Sequence, residues 1–205
     1  MPPLFRPLII AALLALLPAT ALAMAPEPFE ATDAQTKRLE SGEIVVDVRR
    51  DGGILTDVVA LVDAPPEKVW GAIDDYEVQK EWVPDMMENS KVLRTEGKYK
   101  ICRSGTDLPW PLANRVYNLK VWNRREMVGG VESYVSSYTF VEGSGNINEM
   151  DGYWLLQPWD DDGQKTLVRQ YTIVDFGISI PKAFIKSGTN KRLPNVMKAL
   201  RQRVE

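Results

Sequence analysis

"LVDAPPEKVWGAIDDYEVQKEWVP", residues 61–84, is where one hydrophobic rhythm gives way to another. Upstream, "EIVVDVRR" from Glu43 sets Ile44, Val46 and Val48 on one side, and "ILTDVVALV" runs on to Val62. That alternation is the period of two expected of strands. "RDGG" between them supplies glycines where a hairpin turn needs positive φ. Inside the quoted stretch the period lengthens. Asp63 or Ala64 leads into Pro65 and Pro66, both tolerated in a first helical turn, and Glu67 complements a helix N-terminus. Val69, Trp70 and Ile73 then make an amphipathic stripe, which Tyr76 and Trp82 extend into a second short helix ending before Pro84. Helices this short, with one apolar side, must cover something.

Working outward, the C-terminal side reads as six further strands, near residues 90–94, 98–104, 115–124, 132–141, 148–158 and 165–176. The breaks, "TEG", "TDLPWPLAN", "EMVGG", "EGSGN" and "DDDGQ", are short and rich in turn residues. Short connections argue for an antiparallel meander rather than parallel crossovers. Gly143-Ser144-Gly145 is read as a hairpin turn, because no phosphate-loop lysine follows it. The last segment, "PKAFIKSGTNKRLPNVMKALRQRVE", is helical. Phe184 and Ile185 begin an apolar side that Leu193, Val196, Met197, Leu200 and Val204 continue, with a kink or break predicted at Gly188 and Pro194. The order is hairpin, short helices, antiparallel strands, long helix. This is an α+β arrangement in which a curved sheet wrapped on the terminal helix leaves a space between them.

The other end reads as a targeting signal. Arg6 precedes the apolar run "LIIAALLALL", and Ala21-Leu22-Ala23 has the small-x-small form of a signal-peptidase site. Ten apolar residues are too few to span a bilayer, which takes about 20. We therefore expect residues 1–23 to be a signal peptide cleaved after Ala23, with an uncleaved anchor as the alternative. Residues 24–42 read as a polar mature leader with one helical turn, and residues 43–205 as the domain. The expected location is periplasmic or secreted.

Composition narrows the chemistry. The chain has 205 residues, a formal net charge of −3 and no histidine, and Cys102 is its only cysteine. Lacking histidine, it cannot use Ser-His-Asp or Cys-His catalysis or a histidine metal site. The mild acidity gives no support to nucleic-acid binding. No disulfide, metal or cofactor is expected, so stability must come from a core to which six Trp, seven Tyr and five Phe contribute.

Several segments together resemble a known family. Residues 61–84, "DLPWPLANRVY", "GYWLLQPWDDDGQKTLVRQYTIVDFGISIP" and "IPKAFIKSGTNKRLPNVMKALRQR" resemble, in order, segments of START (StAR-related lipid transfer) domains, within the helix-grip SRPBCC / Bet v 1-like superfamily. The likeness covers residues 43–205 and identifies a bacterial exported member. It implies a helix-grip fold around a hydrophobic tunnel and a role in holding one apolar molecule away from water. It also implies a cavity-facing arginine, matched here by Arg115 in "NRVY", although its buried acidic partner has no clear match. Asp107 is the nearest acid.

Alternation places Arg115, Tyr117, Leu119 and Val121 together on the more apolar side of their strand. A guanidinium there needs an acid, a carbonyl, water or ligand oxygens; the alternative is an edge arginine snorkelling to solvent. Candidate wall residues are Trp110, Trp154, Tyr138, Tyr171, Met87 and Phe184, with Tyr117 beside Arg115. Gly152 leaves room beside a large ring. The loop "NRREMVGG", with Met127 and Val128 at its tip between Arg124, Arg125 and two glycines, is a candidate membrane contact, placed by the resemblance at the tunnel mouth.

The leading expectation is a monomeric periplasmic carrier of a phospholipid, fatty acyl lipid or sterol-like molecule, acting without covalent chemistry. The first alternative is a cyclase- or hydrolase-like enzyme of the same superfamily, using Arg115 with Asp107, Tyr117 or Tyr171 to polarise a carbonyl. The second is an interaction module whose cavity is filled by its own side chains.

Overall fold

The computed structural model describes residues 24–84, 86, 90–108 and 112–205. Eight antiparallel strands form one sheet, in the order β1-β2-β8-β7-β6-β5-β4-β3. They are β1 (Val45–Asp51), β2 (Gly53–Val62), β3 (Lys91–Glu96), β4 (Tyr99–Thr106), β5 (Arg115–Val128), β6 (Val131–Phe140), β7 (Glu149–Pro158) and β8 (Thr166–Asp175). Each predicted strand is present, most shifted by a residue or two. Strands β3 to β8 form the meander that short turns dictate. The N-terminal hairpin then pairs with the last strand, Val58 opposite Gln170 and Ala60 opposite Val168, so the two ends of the chain share one sheet.

The double proline starts α2 (Pro66–Asp74), with Pro65 extended at the cap position. Asp75 caps α3 (Tyr76–Trp82), its carboxylate accepting from the Glu77 and Val78 amides at 3.1 and 3.4 Å. Val69, Ala72 and Ile73 of α2 pack into one core with Val196, Met197, Leu200 and Val204 of α5 (Leu193–Val204) and the inner face of the sheet.

The break predicted in the terminal helix is present. A short α4 (Lys182–Ser187) passes into a π-helical turn, Gly188–Arg192, before α5 begins. Pro194 has no N–H for the carbonyl four residues back, which is the condition under which the ladder loosens. The packing changes at the same point. α5 buries four residues, whereas α4 has no buried residue.

The leader is more ordered than its composition indicates. Residues 33–40 form α1 (Asp33–Glu40), two turns rather than one, closed by a capping box between Thr32 and Gln35. Leu39 and Phe29 pack on Val45, Val59, Leu61 and Leu167, so the segment covers the outer face of the sheet. Arg169 clamps it there. Its guanidinium pairs with Asp57 at 2.9 and 2.7 Å and donates to the Glu27 carbonyl at 2.8 Å. No helix among the described residues is long and apolar enough to cross a membrane.

Candidate functional site

Because α5 fills only part of the sheet's concave side, a cavity of about 670 Å³ remains under α4 and the π turn. Its wall is largely apolar: Ile54, Leu119, Val121, Met150, Trp154 and Val174 from the sheet, with Phe184, Leu193 and Val196 from the helical side. It is bordered as well by Tyr76 and Gln79 of α3, by Asp107 and Leu108 just after β4, and by Phe184, Ile185 and Ser187 of α4. The size is that of a pocket enclosing a small organic ligand.

Alternation along β5 holds. Arg115, Tyr117, Leu119 and Val121 are all buried, and the last three line the cavity. Arg115 is 5% exposed, which excludes the snorkelling arrangement. It does not itself border the cavity. Its Nη1 donates to the Ala113 carbonyl at 2.7 Å, its Nε is buried without a partner, and no carboxylate among the described residues pairs with it. Asp107 turns instead to Asn114, accepting from its side-chain amide at 2.7 Å.

Tyr117, Tyr138, Trp154 and Phe184 meet in the cavity wall. Trp110 and Met87 lie outside the described residues. Tyr171 is a correction: the inward side chains of β8 are Val168, Gln170, Thr172 and Val174, and Tyr171 points to the opposite face. There it stacks on Tyr153 at 5.4 Å under the leader, with the Arg169 guanidinium 5.4 Å from its ring. An outward aromatic normally signals exposure, but here the leader supplies a second packing surface.

Val128 is a second correction, while Met127 has the exposure expected of it. β5 and β6 form one long hairpin whose turn is only Gly129-Gly130, both at positive φ. Val128 is buried against Val135, Tyr153 and Leu155 with Met24 packed beside them; Met127 alone is exposed. Arg124 is occupied by Glu126 and Ser137, and Arg125 lies 3.8 Å from Glu67 and over the Tyr134 ring. Neither tip residue borders the cavity.

Sequence reasoning missed the polar residues of the inner face. Tyr138 and Thr172 hydroxyls meet at 2.6 Å, spanning β7 at Gly152, which lies between them in the register. A Cβ on Gly152 would stand 2.7 Å from the Tyr138 hydroxyl and 2.3 Å from the Tyr171 carbonyl. The room predicted at Gly152 is thus taken by the Tyr138 ring. Burial pushes the Tyr138 phenol well above its usual range, so it stays protonated. Thr56, Ser136 and Gln170 also border the cavity. The sequence signal for Gln170 and Thr172 is the phase set by Val168 and Val174, which share their side of β8.

Residues 62–201 match the family model described as polyketide cyclase / dehydrase and lipid transport. No curated protein matches the chain significantly. Among solved structures, the fold is similar to a STAR-related lipid transfer protein from Xanthomonas axonopodis, with a TM-score of 0.63 at 23% identity, covering 78% of this chain and 93% of that one. It is similar to human StAR-related lipid transfer protein 5, with a TM-score of 0.60 at 14% identity, covering 83% and 90%. It is also similar to the Zhui aromatase/cyclase from Streptomyces sp. R1128, with a TM-score of 0.51 at 17% identity, covering 78% and 97%. At these identities the likeness shows the helix-grip fold, which carriers and cyclases share.

Proposed function

The chain belongs to the polyketide cyclase / dehydrase and lipid transport family, and on that premise we propose that it is a carrier that holds one hydrophobic molecule in the cavity between sheet and terminal helix. The observation that carries this reading is the cavity itself, about 670 Å³ with a wall dominated by aliphatic and aromatic side chains. Burial supplies the affinity, at about 25 cal/mol for each Å² of apolar ligand surface removed from water. No bond need form or break. The helical side of the cavity is its weakly packed part, so entry and exit proceed by displacement of α4 and the π turn. With the signal sequence read at residues 1–23, the carrier works as a periplasmic or secreted monomer, exchanging cargo at membranes. Native mass spectrometry of the purified protein should show a mass increment matching a single bound lipid. A spectrum of protein alone, together with no lipid that raises the melting temperature, would count decisively against a carrier.

Arg115 supports a second reading, a cyclase-like enzyme, because a buried guanidinium with an unpartnered Nε is able to polarise a carbonyl. It is the lesser reading because Arg115 does not border the cavity. Turnover of a polyketide or ester substrate that Arg115→Ala abolishes without loss of binding would favour it.

A further inference from the structure

We propose that the cavity receives its ligand through an uncharged hydrogen-bonding group, a hydroxyl or carbonyl, held by Ser136 and Gln170, and excludes ligands whose inserted polar end is anionic. The inference rests on the carrier reading and names the class of molecule carried.

Two rows of residues cross the inner face of the sheet. Thr56, Thr172, Gly152 and Tyr138 form the first, and Val58, Gln170, Trp154 and Ser136 the second. In the first row the hydrogen-bonding groups serve one another: the Tyr138 and Thr172 hydroxyls meet at 2.6 Å, and the Thr56 hydroxyl donates to the Thr172 carbonyl at 3.5 Å. The second row is not closed in this way. Ser136 is 4% exposed and borders the cavity, and its hydroxyl has no hydrogen bond to any described residue. Gln170 also borders the cavity, and its primary amide offers two donors and two acceptor lone pairs. Trp154 stands between the two in the register and lines the cavity with them. The Ser136 hydroxyl opens onto the cavity with no protein group paired to it, so a ligand oxygen brought beside it gains a hydrogen bond inside an apolar wall.

The sign of the charge follows from what the sheet lacks. Among the described residues bordering the cavity, formal charge is carried only by Asp107 and Arg192. Asp107 is exposed to solvent, and Arg192 belongs to the π turn and already has an interaction partner. Around Ser136 and Gln170 there are hydroxyls, an amide and hydrocarbon. A carboxylate or phosphate brought there would lose its hydration with no cation to replace it. A hydroxyl, ketone or ester loses far less and regains it in two hydrogen bonds.

The test uses the full chain and four compounds of equal chain length: a primary alcohol, a methyl ester, a carboxylate above its pKa, and an alkane. Each competes with a fluorescent apolar probe. Alcohol and ester should displace the probe at concentrations about tenfold below those for carboxylate and alkane, the effect of one well-made hydrogen bond. Ser136→Ala with Gln170→Leu should abolish the advantage of alcohol and ester over the alkane, with the carboxylate remaining the weakest of the four. If the double variant fails to fold, Ser136→Ala alone, which removes a single buried oxygen, should halve that preference or better. A carboxylate that binds as tightly as the alcohol overturns the inference, as does a preference that survives in the folded variants. Probe binding without any ranking defeats this inference alone. Failure of the probe and all four compounds to bind defeats the carrier reading with it.

Discussion

Gly152 shows how much one missing side chain decides. The Tyr138 ring occupies the space where a Cβ would stand and reaches Thr172 across β7. Gly152→Ala should therefore force the ring off its position and cost about 1–3 kcal/mol, the usual penalty of overpacking. A denaturant titration that leaves the midpoint unchanged would falsify this account of the glycine. Cys102 illustrates the opposite case, a residue made inert by its surroundings. It is fully buried, and burial pushes its thiol up to about 12 from a reference of 9.0. Native protein near pH 8 should accordingly leave a thiol reagent unreacted, with one equivalent consumed on unfolding. The sign of the linkage is set by the same shift. The folded state favours the protonated thiol, so this group's contribution is complete below about pH 9 and declines as pH rises towards about 12.

Two elements behave differently from what their sequences indicate. The leader, polar in composition, is held on the outer face by Arg169, whose ion pair with Asp57 is largely shielded, at 9% and 12% side-chain exposure. Arg169→Ala would leave Asp57 buried without its partner and release the Glu27 and Pro28 carbonyls. We expect a loss of about 3–5 kcal/mol, with new protease cleavage within residues 24–30. Cleavage kinetics identical to the parent protein would show that the clamp is dispensable. The terminal helix divides in the opposite sense. α5 buries Val196, Met197, Leu200 and Val204, while α4 and the π turn rest on the cavity with no fully buried side chain in α4. Amide hydrogen exchange should be faster across residues 182–192 than across 196–204, and a bound ligand should slow the first set more. Uniform protection along the whole segment would rule out α4 as the gate.

For the molecule as a whole, the concave side of the sheet is only partly filled by its own helix. Apolar side chains lining the cavity gain packing partners when a ligand fills it, so binding adds stability directly. A ligand of the proposed class at about 100 times its Kd should contribute about 2.7 kcal/mol. For a chain of this size that raises the melting temperature by roughly 5–10 °C. A panel of apolar compounds that leaves the transition unmoved would mean that the cavity collapses or fills from within.

Most of the architecture was legible in the chain because it depends on local rules. The change from period two to a helical stripe at residues 61–84, the turn residues between strands and the prolines at helix starts each act over a few residues. They place elements, and even the break before Pro194, without reference to distant contacts. The inward side of β5 was legible for the same reason. What sequence could not give is which face meets which neighbour. Pairing of β2 with β8 joins residues more than a hundred positions apart, and the leader's packing on the outer face turns Tyr171 and Val128 away from the roles their types suggested. Periodicity tells which residues share a side. Only the assembled sheet decides that Ser136, Gln170 and Trp154, from three strands, stand in one row facing the cavity, because register across strands is a property of the fold and not of any segment.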